Sequence, residues 1–190
     1  MSNTSLIVVL TAPSGSGKTT IYRKLLERRR DIDFSVSYTT RKRRPVEEHG
    51  VDYFFIGREE FERKITAGDF VEWAEVHGEL KGTDRNQLEK CLERSTACIL
   101  DVDVQGAVSI MQAYPEAVTI FIQPPSLEEL KKRLMKRGTE SEDELEVRLR
   151  NAKKELAYRD RFQYIVVNDE VENAVNRIEG IIEKEIGNRR

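Results

Sequence analysis

Directly after the apolar run Leu6-Ile7-Val8-Val9-Leu10-Thr11 comes Ala12-Pro13-Ser14-Gly15-Ser16-Gly17-Lys18-Thr19-Thr20, a small-residue loop with a lysine and two hydroxyls at its end. Such a loop can turn backbone N–H groups toward phosphate oxygens at a helix N-terminus, while Lys18 adds a positive charge and the Thr19 hydroxyl suits Mg2+. The pattern is Gly-x-x-x-x-Gly-Lys-Ser/Thr with Ala12 in the first glycine position. Alanine is tolerated there if the backbone does not need a positive φ. The plain alternative, an ordinary Gly/Ser turn, is opposed by the order of strand, loop, Lys-Thr and helix, the last traced by Ile21, Leu25 and Leu26.

Moving a phosphoryl group asks for fixed cations and a metal partner rather than covalent chemistry. Asp101 and Asp103 close a second apolar run, Ala97 to Val102, where a carboxylate can face Mg2+ directly or through water; the alternative is a pair of solvated strand-end acids. Arg41 and Arg44 lie beside Thr39-Thr40 and Tyr53 and could grip a second phosphate bidentately. Lys42 and Arg43 read as a solvated basic loop. Arg133, Arg137 and Arg148 fall on or beside two charged helices, where they either swing over a donor's phosphates or pair with nearby glutamates.

The elements that must position these residues alternate. Helical spacing follows the loop, then a β-rich stretch with strands expected at 35–40, 51–56 and 70–76 and a short helix over 58–67. Helices are expected over 84–94 and 105–113, apolar strands at 97–103, 118–122 and 164–167, and a terminal helix along Val171, Ala174, Val175, Ile178, Ile181 and Ile182. Ser126 with Glu129 and Ser141 with Glu144 mark capping boxes for two helices around Arg137-Gly138-Thr139, a mobile hairpin. Apolar strands alternating with helices predict an α/β fold whose parallel sheet is covered on both faces.

One domain fits 190 residues, and 32 Lys and Arg against 34 Asp and Glu give a net charge of −2, which argues against general nucleic-acid binding. Cys91 and Cys98 have no metal-ligand spacing and read as buried or idle thiols of a reducing compartment. Neither a signal region nor an apolar run long enough for a membrane span is visible, so a cytoplasmic location is the default expectation.

Beyond the loop at 12–19, further segments stand in order: Ser35-Val36-Ser37-Tyr38-Thr39-Thr40-Arg41 with Arg44-Pro45, Gly50-Val51-Asp52-Tyr53, Glu72-Trp73, Gly82-Thr83, Leu100-Asp101-Val102-Asp103-Val104-Gln105-Gly106, Pro124-Pro125-Ser126, Arg137-Gly138-Thr139 and Val167-Asn168-Asp169. Together, from about residue 6 to 182, they closely resemble the guanylate kinase family. The resemblance implies a phosphate-loop core (1–34, 85–125 and 159–190), an inserted small β-rich GMP-binding region (35–84) and a helical lid (126–158). It implies Mg2+-dependent phosphorylation of GMP, and of dGMP, by ATP in purine nucleotide metabolism. By position, Arg41, Arg44 and Tyr53 would hold the GMP phosphate, and Ser37, Glu72, Thr83 and Asp103 would read guanine. Lys18, Arg41, Arg137 and Arg148 would serve the transfer, the last two from the lid. Guanine presents N1–H and an exocyclic amine to a carboxylate, whereas adenine would leave a buried Glu72 unpaired. Alternation alone would instead place Glu72 toward solvent beside a core Trp73.

One segment departs from the family. Gly78-Glu79-Leu80-Lys81-Gly82-Thr83 has Lys81 where the family carries a tyrosine that donates to the GMP phosphate. Lys81 is expected to supply a charged donor in its place. His49 and His77 read as loop polar residues. A peptide-binding scaffold fits poorly with an intact Lys18, Thr19, Arg41 and Asp101. Although Asp103-Val104-Gln105-Gly106 matches a GTPase switch pattern, no Asn-Lys-x-Asp motif accompanies it.

Overall fold

The structure is a computed structural model and describes residues 5–76, 78–136 and 142–189. Tertiary contacts divide the chain into two units, Met1–Val9 with Asp31–Ala117, and Leu10–Arg30 with Val118–Arg190. Strand β1 (Leu6–Thr11) is buried along its whole length and contributes to both.

In the first unit, β2 (Ile32–Ser35) and β7 (Ala97–Asp101) run parallel, Ile32 opposite Ala97 and Ser35 opposite Leu100, in the order β2-β7-β1. Strands β1 and β7 are almost continuously apolar, as suits parallel strands covered on both faces, whereas β2 alternates Ile32 and Phe34 with Asp33 and Ser35. Between β2 and β7 in sequence comes a second sheet of order β4-β3-β6-β5, formed by β3 (Tyr38–Thr39), β4 (Phe54–Phe55), β5 (Phe70–Val76) and β6 (Glu79–Asp84). Helix α2 (Arg58–Ala67) packs on it through a cluster of Phe61, Phe70 and Leu80, with the Phe61 and Phe70 rings stacked 4.4 Å apart. Gly68 (φ 73) ends α2 in the left-handed conformation that favours glycine. Two further helices complete the unit, α3 (Arg85–Arg94), capped by Asp84, and α4 (Val104–Ala113), capped by Asp103.

Three expectations are corrected here. The strand expected over 35–40 breaks into β2 and β3, and the one over 51–56 shrinks to Phe54–Phe55. Glu48 and Asp52 account for the second loss: the Asp52 carboxylate accepts from Glu48 N and the Glu48 carbonyl from Asp52 N, closing a turn instead of a strand. Nor are the cysteines thiols. Cys91 on α3 and Cys98 on β7 are fully buried and form a disulfide.

In the second unit the order is β1-β8-β9, with β8 (Val118–Gln123) and β9 (Tyr164–Val167) parallel. Helix α1 (Lys18–Arg28) follows the loop, and α7 (Val171–Asn188) buries Ala174, Val175, Ile178 and Ile182. Lys24 and Arg28 pair with Glu172 across these two helices, and Arg29 with Glu183. The hairpin of α5 (Leu127–Lys136) and α6 (Glu142–Leu156) encloses its own apolar cluster of Leu130, Leu134 and Ala152. Ser126 Oγ accepts from Glu129 N as its capping box predicts; the second box, at Ser141, lies outside the described residues. Among the described residues no helix is long and apolar enough to cross a membrane.

Candidate functional site

The loop after β1 turns on two left-handed glycines, Gly15 (φ 90) and Gly17 (φ 86). Ser16 N donates to Pro13 O, and Gly17 caps α1 with no side chain bonded over the helix end. A helix start finished this way leaves its first N–H groups to an anion, and its dipole adds to their pull. Lys18, Thr19 and Thr20 form the first turn, with Thr19 and Thr20 exposed. The loop is braced from two sides. Buried Asn168 donates from Nδ2 to Ser16 O (2.6 Å), and a Cβ on Gly17 would stand 2.6 Å from that nitrogen. A Cβ on Gly15 would stand 2.7 Å from Leu134 Cδ2 of the hairpin. Arg148 on α6 donates to Ser14 Oγ (2.7 Å), which brings this guanidinium to the loop. Arg133 bonds the Asn168 carbonyl and Glu129, so it acts as a brace rather than a swinging phosphate arm. Arg137 and His77 lie outside the described residues.

The first unit gathers the remaining candidates. On β5, Glu72 shares the buried face of Phe70 and Ala74 and is 7% exposed, whereas Trp73 is 47% exposed. The alternative drawn from alternation, an outward Glu72 beside a core Trp73, is therefore inverted. Thr83, its cross-strand partner, donates from Oγ1 to Glu72 Oε1 (2.6 Å). Burial raises the Glu72 carboxyl above the ordinary value; Thr83 and Lys81 pull it back in part, and Asp103 pushes it further up. Asp103 caps α4 by accepting from Gly106 N through Oδ1. Ser37 is buried at the break between β2 and β3.

Lys81 on β6 extends to the end of β7. Its Nζ donates to Asp101 O (2.7 Å), lies 3.7 Å from Asp101 Oδ2 and sits 5.2 Å over the Tyr53 ring. Burial opposes its charge, but Asp101, Tyr53, Asp103 and Glu72 hold the ammonium above its usual range. Tyr53 OH approaches Asp101 Oδ2 at 3.4 Å. Arg41, stacked against Tyr53 and Phe55, is gripped by both carboxylate oxygens of Glu47 (2.7 and 3.1 Å). Arg44 gives its backbone N–H to the same carboxylate and leaves its side chain 62% exposed. Burial works against the Glu47 charge, yet its bonds from Arg41 and Arg44 lower its pKa. Thus Arg41, Tyr53, Lys81 and Asp101 do come together.

Three positioning residues were missed by sequence reasoning: Glu47, Asn168 and Gly106. Glu47 carried a signal, since a carboxylate three residues past Arg44 can reach it; for the others, sequence offered no sign of which side chain they would meet. Among the described residues no group of three His, Cys, Asp or Glu side chains could cage a metal. Mg2+ in phosphoryl transfer needs only one or two protein oxygens beside phosphates and water. The Thr19 hydroxyl and the Asp101 carboxylate are each hard oxygen donors of that kind.

A parallel sheet with a phosphate loop before α1, a small second sheet and a helical hairpin define the phosphate-loop nucleotide kinase class. The guanylate kinase family model matches residues 4–185. A guanylate kinase of Thermotoga maritima is 48% identical over 94% of this chain and 86% of its own length, and one of Clostridium perfringens is 46% identical over 95% and 83%. The crystal structure of guanylate kinase from Anaplasma phagocytophilum superposes with a TM-score of 0.80 at 36% identity, covering 95% of this chain and 86% of that one. The chain belongs to the guanylate kinase family.

Proposed function

We propose that the protein transfers the γ-phosphoryl group of ATP to GMP, and to dGMP, giving ADP and GDP. The observation that carries this reading is the buried carboxylate of Glu72, bonded by Thr83 and flanked by Asp103. A buried charge is costly unless something pairs with it, and the N1–H and 2-amino edge of guanine supplies two donors to a carboxylate. Adenine offers no such edge, so the site rejects AMP by leaving Glu72 unpaired, an effect on the order of 10⁴ in favourable cases. Ser37, Thr83 and Asp103 complete the base contacts in this reading.

The donor's phosphates bind the loop from Ala12 to Thr20, with Lys18 neutralising charge that builds up on the transferring oxygens. Arg148, and Arg137 with it, stabilise the same phosphates from the hairpin. Arg41, Arg44, Tyr53 and Lys81 hold the acceptor phosphate. To do so, Arg41 must share or surrender the edge now taken by Glu47. For Mg2+, Thr19 would offer its hydroxyl and Asp101 its carboxylate, directly or through water, and the ion would neutralise the donor's phosphates. Both substrates are small nucleotides, not nucleic acid, and a cytoplasmic location fits their supply.

The test is a coupled assay for ADP with GDP followed in parallel. ADP and GDP should appear in equal amounts, and only when GMP is present. ADP formed at full rate without GMP would make the protein an ATPase and overturn the reading.

A further inference from the structure

Gly106 is the third residue of α4, and its conformation is helical, so no positive φ explains the glycine. Glycine is disfavoured against alanine inside a helix because it has more backbone freedom to lose. Something other than helix stability therefore suits glycine to this position. A Cβ at 106 would stand 2.6 Å from Glu72 Oε2 and 3.1 Å from the Glu72 carboxyl carbon, inside contact distance for both. The other Glu72 oxygen is fixed by Thr83 at 2.6 Å, and Glu72 itself is buried, so the carboxylate cannot swing aside without breaking that bond. At the same time Gly106 N donates to Asp103 Oδ1 at 2.9 Å. One residue thus touches both acids assigned to the base.

We infer that Gly106 is a positioning residue for base specificity: its missing Cβ seats the Glu72 carboxylate and its N–H orients Asp103. The substrate class it selects is the purine 5′-monophosphate with a 6-oxo, 2-amino edge. The inference rests on Glu72 reading the base, as proposed above. Inosine monophosphate, which keeps N1–H and the 6-oxo group but lacks the 2-amine, is the discriminating probe.

The experiment measures kcat/KM for GMP and inosine monophosphate, the KM for ATP and the melting temperature in Gly106→Ala and Glu72→Gln. In Gly106→Ala the KM for GMP should rise and the preference for GMP over inosine monophosphate should fall, each about tenfold or more, because small misplacements cost large factors. The ATP KM should stay unchanged, and the melting temperature of Gly106→Ala should lie below that of Gly106→Ala/Glu72→Asp, whose shorter acid vacates the space for the new methyl. An unchanged GMP preference in Gly106→Ala, with the preference lost in Glu72→Gln, overturns the role of Gly106 alone. Preference retained in Glu72→Gln overturns the base reading beneath it. Should Gly106→Ala fail to fold, the double variant must fold and bind GMP no more weakly than Glu72→Asp alone; a double variant that also fails to fold, or that binds GMP more weakly than Glu72→Asp, overturns the inference.

Discussion

Burial makes the Glu72 carboxylate costly to the fold. Its carboxyl is raised by burial, so the folded state holds the proton more tightly than the unfolded chain, and stability falls as pH climbs from the ordinary glutamate value through the raised one. The penalty applies wherever the carboxyl is ionised in the folded protein. Glu72→Gln keeps the Thr83 hydrogen bond and removes the buried charge, so its melting temperature should rise by about 2–4 °C while the KM for GMP increases. For the same reason GMP affinity of the unaltered protein should fade on acidification at a higher pH than an ordinary glutamate would give, which a calorimetric pH series reads directly. Lys81 shares that sign of slope in stability but not the effect at neutral pH: its raised pKa keeps it charged throughout the neutral range, where its charged form stabilises the fold, and this stabilisation is lost only as the pH turns more alkaline. Lys81→Ala should raise the KM for GMP about tenfold, the scale of one charged hydrogen bond, and Lys81→Tyr should restore part of it. If both variants match the unaltered protein, Lys81 does not touch the phosphate. That lysine replaces a family tyrosine was legible in the sequence. Its bond to the Asp101 carbonyl was not, because it depends on β6 running beside the end of β7.

At the scale of elements, helices were legible where spacing and caps agreed, as in α2 with Phe61, Ile65 and Gly68. The strands of the small sheet were less so. On β5, Glu72 follows Phe70 by two positions and so shares its inner face, where Thr83 bonds it. Alternation, which counts only polarity, cannot see this. The cysteines failed for a related reason: seven positions apart in sequence, they meet only because α3 turns back into β7. Closing so short a loop is worth about 2.5 kcal/mol. Melting under strong reductant should therefore lower the transition by roughly 5–10 °C; coincident curves would show that the bond does not form. The hairpin core offers a second check. Leu130→Ala should cost about 2–5 kcal/mol and also loosen the loop at Gly15, since Leu130 and Leu134 fill the space beside it.

For the molecule as a whole, the candidate site residues fall into the two units by group. The phosphate loop, its Asn168 brace and Arg148 belong to one; Glu72, Thr83, Asp103, Arg41 and Lys81 belong to the other. Lys18→Ala should thus reduce kcat by roughly 10²–10³ or more while GMP still binds calorimetrically with near-unchanged affinity. The donor loop was readable from local spacing because its parts are consecutive. The proposed base site was readable only through resemblance, since Ser37, Glu72, Thr83 and Asp103 come from four separate segments, of which the fold sets Glu72, Thr83 and Asp103 together. The most direct measurement of the account is the kcat/KM of the purified protein with ATP for GMP, AMP and UMP side by side. GMP should be preferred by several orders of magnitude; AMP or UMP used as well as GMP would contradict it.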